Sequence, residues 1–217
     1  MIIEIDGLHI AKGGRVILNN VYMKFNSGEI TGVFGRNGSG KTTLFNVLMG
    51  VDTPEIVSLR LNGTYCPKLY RKGVINYISA KLSLPESLTG RKAASIFKVS
   101  EEVIAADLRF AGIDSRSKLA KLSLGQQRFV EAVLFLRSDK QFTIMDEPFG
   151  NLTPIFIEYL LQIMEERRAE KGLIICDHQY RYISKLVDSA YLIKDYSSYP
   201  LEGDLNEGLV KHGYLIA

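Results

Sequence analysis

Residues 35–42 read Gly35-Arg36-Asn37-Gly38-Ser39-Gly40-Lys41-Thr42, with Thr43 next in line. Two glycines five residues apart, followed by a lysine and a hydroxyl residue, form a phosphate-binding pattern. The glycines let successive backbone N–H groups turn inward around an anion, and a helix opening there adds its positive N-terminus. Lys41 is expected to reach the β- and γ-phosphates of a nucleotide, and the Thr42 hydroxyl to ligate Mg²⁺. A second site of chemistry is the apolar run Phe142–Met145, which ends in Asp146-Glu147. An acid at the end of a buried strand beside such a loop is placed to hold Mg²⁺ through water, the role expected of Asp146. Glu147 would then face the γ-phosphate and polarise the attacking water. Just upstream lies Leu122-Ser123-Leu124-Gly125-Gln126-Gln127-Arg128, which by itself reads as the polar cap of a helix.

These groups need elements to hold them. Val21, Met23 and Phe25 alternate with Asn20, Tyr22 and Lys24, the period of a half-buried strand, and residues 2–34 are expected to form short strands. Gly13-Gly14 and Asn26-Ser27-Gly28 mark turns between them. Ile30–Phe34 is an apolar strand that runs straight into the glycine loop. Leu44, Val47 and Leu48 then recur at helical spacing, with Gly50 as the stop. From Thr89 to Gly112 the pattern is helical, with Ala93, Ile96 and Phe97 and then Val103, Ala106 and Leu108 marking the apolar face. A helix is expected over 124–137. Another should open at Thr153-Pro154, a cap followed by proline at the first helical position, and run to about Lys171. Leu173–Cys176 and Ala190–Lys194 read as further strands. Tyr191, Tyr196, Tyr199 and Tyr214 are expected to pack on the faces of a closing hairpin. Strands alternating with helices predict an α/β fold with a mostly parallel sheet covered on both faces. The expected organisation is one domain over 1–217. Its core covers about 1–82 and 139–217, with an N-terminal antiparallel β region, and a helical subdomain is inserted at about 83–138.

The 217 residues are 46% hydrophobic and 24% charged, ordinary for a globular chain that folds without staples. No stretch approaches the roughly 20 uninterrupted apolar residues that a membrane span requires. The net charge of +3 comes from scattered basic residues, so no nucleic-acid partner is expected. Cys66 and Cys176 stand in no metal-ligand spacing and read as reduced, mostly buried thiols. The first residues, Met1-Ile2-Ile3-Glu4-Ile5-Asp6, lack the basic segment of a secretory signal.

The order of these motifs carries a resemblance. A phosphate loop, a helical region ending in Leu122–Gln126, an apolar strand ending Asp146-Glu147, and then Ile175-Cys176-Asp177-His178 together resemble the ATP-binding subunit of ABC transporters, over nearly the whole chain. The resemblance implies a P-loop NTPase core that binds ATP with Mg²⁺ and hydrolyses it. It implies that residues 35–43 hold the nucleotide, and that His178 contacts the γ-phosphate and keeps Glu147 and the water in line. It further implies that two subunits stack head to tail, as a homodimer or with a related ATPase, with Ser123, Leu124, Gly125 and Gln126 completing the partner's site. A hydroxyl, N–H groups and dipole at a helix start suit that role. The same resemblance implies a separate transmembrane subunit and a cytoplasmic place on the inner face of the membrane.

Four positions depart from the family pattern. Lys12 stands near the usual adenine-stacking ring, Ala80 where a glutamine usually ends its strand, Leu124 at the usual first glycine of the signature, and Thr153 at a common interface aspartate. Slower or less tightly coupled hydrolysis is expected from them. The alternatives are a weakly hydrolysing regulatory half of a heterodimer and a non-transport ATPase of the same superfamily.

Overall fold

The computed structural model describes residues 1–215. Two sheets form its framework. The first is antiparallel and N-terminal, with strand order β2-β1-β4-β5: β1 (Ile2–Lys12), β2 (Arg15–Asn26), β4 (Ile56–Leu61) and β5 (Thr64–Tyr65). The second has order β10-β9-β3-β8-β7-β6 and is parallel except where β10 pairs antiparallel to β9. Its strands are β3 (Ile30–Phe34), β6 (Ile75–Ile78), β7 (Phe142–Asp146), β8 (Gly172–Cys176), β9 (Ser189–Lys194) and β10 (Ser197–Pro200). Among the described residues seven α-helices complete the fold: α1 (Lys41–Leu48), α2 (Gly90–Phe97), α3 (Glu101–Phe110), α4 (Leu124–Arg137), α5 (Pro154–Arg167), α6 (Tyr180–Ile183) and α7 (Leu205–Lys211).

The central strands are buried on both faces, and their alternation sorts the core in two. Ile144, Ile174 and Cys176 join α1 and the antiparallel sheet on one face. Met145, Leu173 and Ile175 join α4 and α5 on the other. A strand covered on both faces needs apolar residues at every position, which is why β7 and β8 read as unbroken runs. β3 also carries Gly32, where a Cβ would stand 2.6 Å from the Phe34 ring, so only glycine lets that ring fold back along its own strand.

Several expectations are corrected. The N-terminal strands are long, at 11 and 12 residues, because they pair with each other along their whole length. The stretch from Thr89 to Gly112 is two helices, broken where Lys98 takes a left-handed conformation (φ 56°). Leu108 is buried as expected, but Ile96, Val103 and Ala106 are exposed, and Ile104 and Asp107 are buried in their place. The apolar face was misread because a carboxylate occupies it: Asp107 accepts from Arg137 at 3.0 Å and from the Tyr159 hydroxyl at 2.8 Å. Helix α5 stops at Arg167, four residues early. Tyr191 of β9 packs edge-on against Phe25, and Tyr199 of β10 lies beside His212. Tyr196 is exposed in the turn between these strands, and Tyr214 lies outside the hairpin, beyond α7, edge-on to Phe34. Both thiols are free and buried.

Lys171 explains the early stop. Its side chain is 1% exposed and donates to the carbonyls of Phe135 (3.2 Å), Leu136 (2.9 Å) and Ser138 (2.9 Å), the loose C-terminal end of α4. A cation there satisfies carbonyls that have no partner within the helix. Burial pushes the Lys171 pKa down from 10.5 to about 7, with Arg167 adding to the fall and Asp139 and Glu170 opposing it. The unfolded chain then binds more protons than the folded one between pH 7 and 10.5, so this group makes stability rise with pH across that window. The urea midpoint of the wild type should climb between pH 7 and 9 by more than that of Lys171→Met. Equal slopes would show that Lys171 does not titrate in the fold.

Candidate nucleotide site

The phosphate loop joins β3 to α1. Gly38 (φ 79°) and Gly40 (φ 104°) take conformations that side chains resist, and a Cβ on Gly40 would stand 2.7 Å from Leu18. Gly40 occupies the N-cap of α1 and leaves that helix without a side-chain cap, unlike α2, α4 and α7, which Thr89, Ser123 and Asp204 cap. An N-terminus of this kind presents its N–H groups to an anion. Lys41 lies folded across its own loop, donating to the carbonyls of Gly35 (2.7 Å) and Arg36 (3.2 Å). The Ser39 hydroxyl is buried without a partner, packed against Gly35.

Opposite the loop, Asp146 is 1% exposed and accepts from three side chains. Thr42 (2.8 Å) and the Tyr77 hydroxyl (3.1 Å) reach Oδ2, and the Cys176 thiol (2.9 Å) reaches Oδ1. Burial, and then the neighbouring carboxylate, push the Tyr77 phenol and the Cys176 thiol well above their usual values, so both remain donors at neutral pH. The Thr42 hydroxyl and the Asp146 carboxylate thus converge as hard oxygen ligands, the donor set Mg²⁺ prefers. Among the described residues no group of three or more His, Cys, Asp or Glu could hold a metal, so Mg²⁺ would depend on phosphate oxygens for the rest of its shell.

Glu147 adopts a left-handed backbone (φ 51°), its N–H bound to the Cys176 carbonyl at 2.8 Å. That turn swings its side chain out of the strand, where Oε1 lies 3.0 Å from Nε2 of His178. Asp177 steadies the histidine's loop by accepting from the N–H groups of Phe149 (2.9 Å) and Gln179 (2.8 Å), and burial raises its own pKa. Glu147, His178, Ile17 and residues 37–43 line one cavity of about 550 Å³. Ser123, Leu124, Gly125 and Gln126 do not line it. They form the start of α4, where Ser123 and Gln126 cap each other reciprocally at 3.2 and 3.1 Å. Gly125 lies against the Asn151 carbonyl, only 2.5 Å from where a Cβ would be, and Leu124 is exposed.

The ABC transporter family model matches residues 18–150, from the second strand through the Asp146-Glu147 turn. The chain belongs to the ABC transporter family. It is 29% identical to a probable ABC transporter ATP-binding protein of Azorhizobium caulinodans over 91% of this chain and 75% of that protein. It is also 29% identical to the lipopolysaccharide export system ATP-binding protein LptB of Escherichia coli, over 83% of this chain and 81% of that one. An arabinose import ATP-binding protein of Burkholderia thailandensis is 28% identical over 89% of this chain, which spans 40% of that longer protein. A solved ATP-binding subunit of an ABC transporter has the same fold, with a TM-score of 0.82, 24% identity and coverage of 100% and 95% of the two chains.

In this ABC-family chain the departures have local explanations. Lys12 pairs with Asp52 at 2.6 Å, Ala80 is exposed beyond β6, and Thr153 is the N-cap of α5 without a side-chain bond to it. Sequence reasoning missed Arg128, whose neighbours in the motif drew the reading toward the helix start. Its guanidinium, 3% exposed, donates to the carbonyls of Ser79 (2.7 Å), Asp146 (3.1 Å), Glu147 (2.8 Å) and Pro148 (3.3 Å) and to Glu131 (2.9 Å). A charged residue three positions before a glutamate inside an otherwise apolar helix was the available signal. Arg128→Met leaves Glu131 buried and uncompensated, and should cost about 3–5 kcal/mol in urea denaturation. Changing both residues to methionine should restore part of that loss.

Proposed function

We propose that this chain binds ATP with Mg²⁺ and hydrolyses it as the ATP-binding subunit of a transporter, acting on a separate membrane-spanning subunit. The observation that carries the reading is that the phosphate loop, Glu147 and His178 line one cavity while Ser123–Gln126 do not. Half of the proposed site is therefore absent from a single copy, and a second copy or a related ATPase would supply it head to tail.

In this mechanism Lys41 exchanges its loop carbonyls for the β- and γ-phosphates, and the N–H groups of residues 37–43 cradle the phosphate chain. Thr42 and Asp146 would hold Mg²⁺, which would supply positive charge to the phosphate chain. Glu147 accepts a proton from the water whose oxygen attacks the γ-phosphorus. The bond from that phosphorus to the bridging oxygen breaks, and ADP departs with the bond's electron pair. His178 holds the Glu147 Oε1 toward the water. The partner copy's Ser123–Gln126 segment offers its hydroxyl and helix-start N–H groups to the γ-phosphate.

The proposed organisation is a core of about residues 1–82 and 139–217 with helices of about 83–138 inserted. Among the described residues no helix is long and apolar enough to cross a membrane. The chain is proposed to work on the cytoplasmic, inner face by docking to its membrane partner. The relatives' names include sugar import and lipopolysaccharide export, so neither cargo nor direction is assigned. A weakly hydrolysing regulatory half is the second reading, favoured by the nonpolar, exposed Ala80. The 3.0 Å pairing of His178 with Glu147 favours active hydrolysis.

Glu147→Gln should abolish steady-state ATP turnover while an ATP-bound dimer accumulates on size-exclusion chromatography. Normal turnover would remove Glu147 from its role as base. Ala80→Gln should raise the turnover rate of the wild-type chain, and an unchanged rate would mean that Ala80 does not limit it. Recovery of the tagged protein from solubilised membranes should bring down a polytopic partner; a soluble or DNA-bound complex would refute transport.

A further inference from the structure

The chain beyond α7 returns to the phosphate loop. Gly213, in a left-handed conformation (φ 70°), ends α7 with its N–H bound to the Val210 carbonyl at 2.8 Å. The turn brings Tyr214 edge-on to Phe34, the last residue of β3, with ring centroids 6.2 Å apart. Arg36 reaches the Gly213 carbonyl at 3.5 Å, and Lys194 donates to the His212 carbonyl at 2.9 Å. Burial pushes the Tyr214 phenol up, and the Gly35 backbone N–H draws it back. The tail thus touches Phe34, Gly35 and Arg36. The last two supply both carbonyls that hold Lys41. Past Arg36 the loop is less supported: a cavity of about 380 Å³ separates it from the tail, lined by Asn37, Ser39, Lys194, Asp195 and His212 among others.

We propose that His212–Leu215 is a strap that presets the phosphate loop for the nucleotide, with Tyr214 as its positioning residue. This rests on the nucleotide-binding reading above. The physical effect is pre-organisation. A glycine-rich loop samples many conformations, and a ligand that needs one of them binds more weakly by the fraction of time that one is present. Anchoring the first residues of the loop raises that fraction without touching the reacting atoms. Losing the anchor therefore weakens ground state and transition state alike, which raises KM and leaves kcat unchanged.

Two measurements test the strap. Hydrogen exchange of the Ser39 amide, which donates to the Arg36 carbonyl at 3.0 Å, should without nucleotide be about tenfold faster in Tyr214→Leu than in the wild type, a tenfold loss of the preset state. The Kd for a fluorescent ATP analogue with Mg²⁺ should rise by about the same factor, with KM following and kcat unchanged. Tyr214→Phe, which keeps the ring against Phe34 but loses the hydroxyl's contact with the Gly35 N–H, should fall between the two in both readouts. Should Tyr214→Leu not fold, Gly213→Ala strains the turn alone and should move both readouts in the same direction. A folded variant with unaltered exchange at the Ser39 amide and unaltered Kd would overturn the strap, even if its melting temperature fell. If the wild type bound no ATP analogue, the nucleotide reading would fail, and the exchange measurement would still decide the strap.

Discussion

The site depends on one buried cation. Arg128 leaves the first turns of α4 and spends its guanidinium on four carbonyls at the ends of two strands, with Glu131 as counter-charge. Chain ends emerging from a parallel sheet carry unpaired carbonyls, and burying them unbonded costs free energy. A planar group with five donors satisfies several at once, which a lysine could not do. The result is that Ser79, Asp146, Glu147 and Pro148 are tied to the helix whose start is Ser123–Gln126. Glu131 extends the tie by accepting from the N–H (2.8 Å) and hydroxyl of Ser83. A shift in the loop after β6 is therefore felt at both the carboxylate turn and the start of α4.

Around that hub most buried polar groups are paired. Asp146 is surrounded by donors that burial keeps protonated, so its orientation is set by Thr42, Tyr77 and Cys176 together. The far end of α4 is closed by the Lys171 Nζ and its near end by the Ser123–Gln126 box. The start of α1 has no side-chain cap, a state it shares with α3, α5 and α6, and the buried Ser39 hydroxyl is without a partner, as are Asn76 Oδ1 and Arg167 Nε. The open start of α1 lies where an anionic ligand would complete it.

Much of this was legible in the sequence because it is local. The loop's glycines, the continuous apolar runs of β7 and β8, and the Thr153-Pro154 helix start are dictated by backbone conformation and burial within a few residues. The face of α3 was not legible, because Asp107 is buried only through Arg137 and Tyr159, 30 and 52 residues away. The length of β1 and β2 depends on their mutual pairing, and β4 and β5, an edge pair with exposed Ile56 and Tyr65, lack the alternation that identifies a strand.

The sequence by itself determined the kinds of chemistry available and their order along the chain, since motif spacing encodes a phosphate loop, an acidic strand end and a polar helix start. Tertiary structure alone decided which of these share a cavity. Glu147 meets His178 because parallel pairing sets Asp146 opposite Cys176, carrying the residues after both strands to the same edge of the sheet. Ser123–Gln126 stand outside that cavity because Arg128 and the close approach of Gly125 to Asn151 hold α4 where it is. Such contacts join residues far apart in sequence, and no local pattern records them.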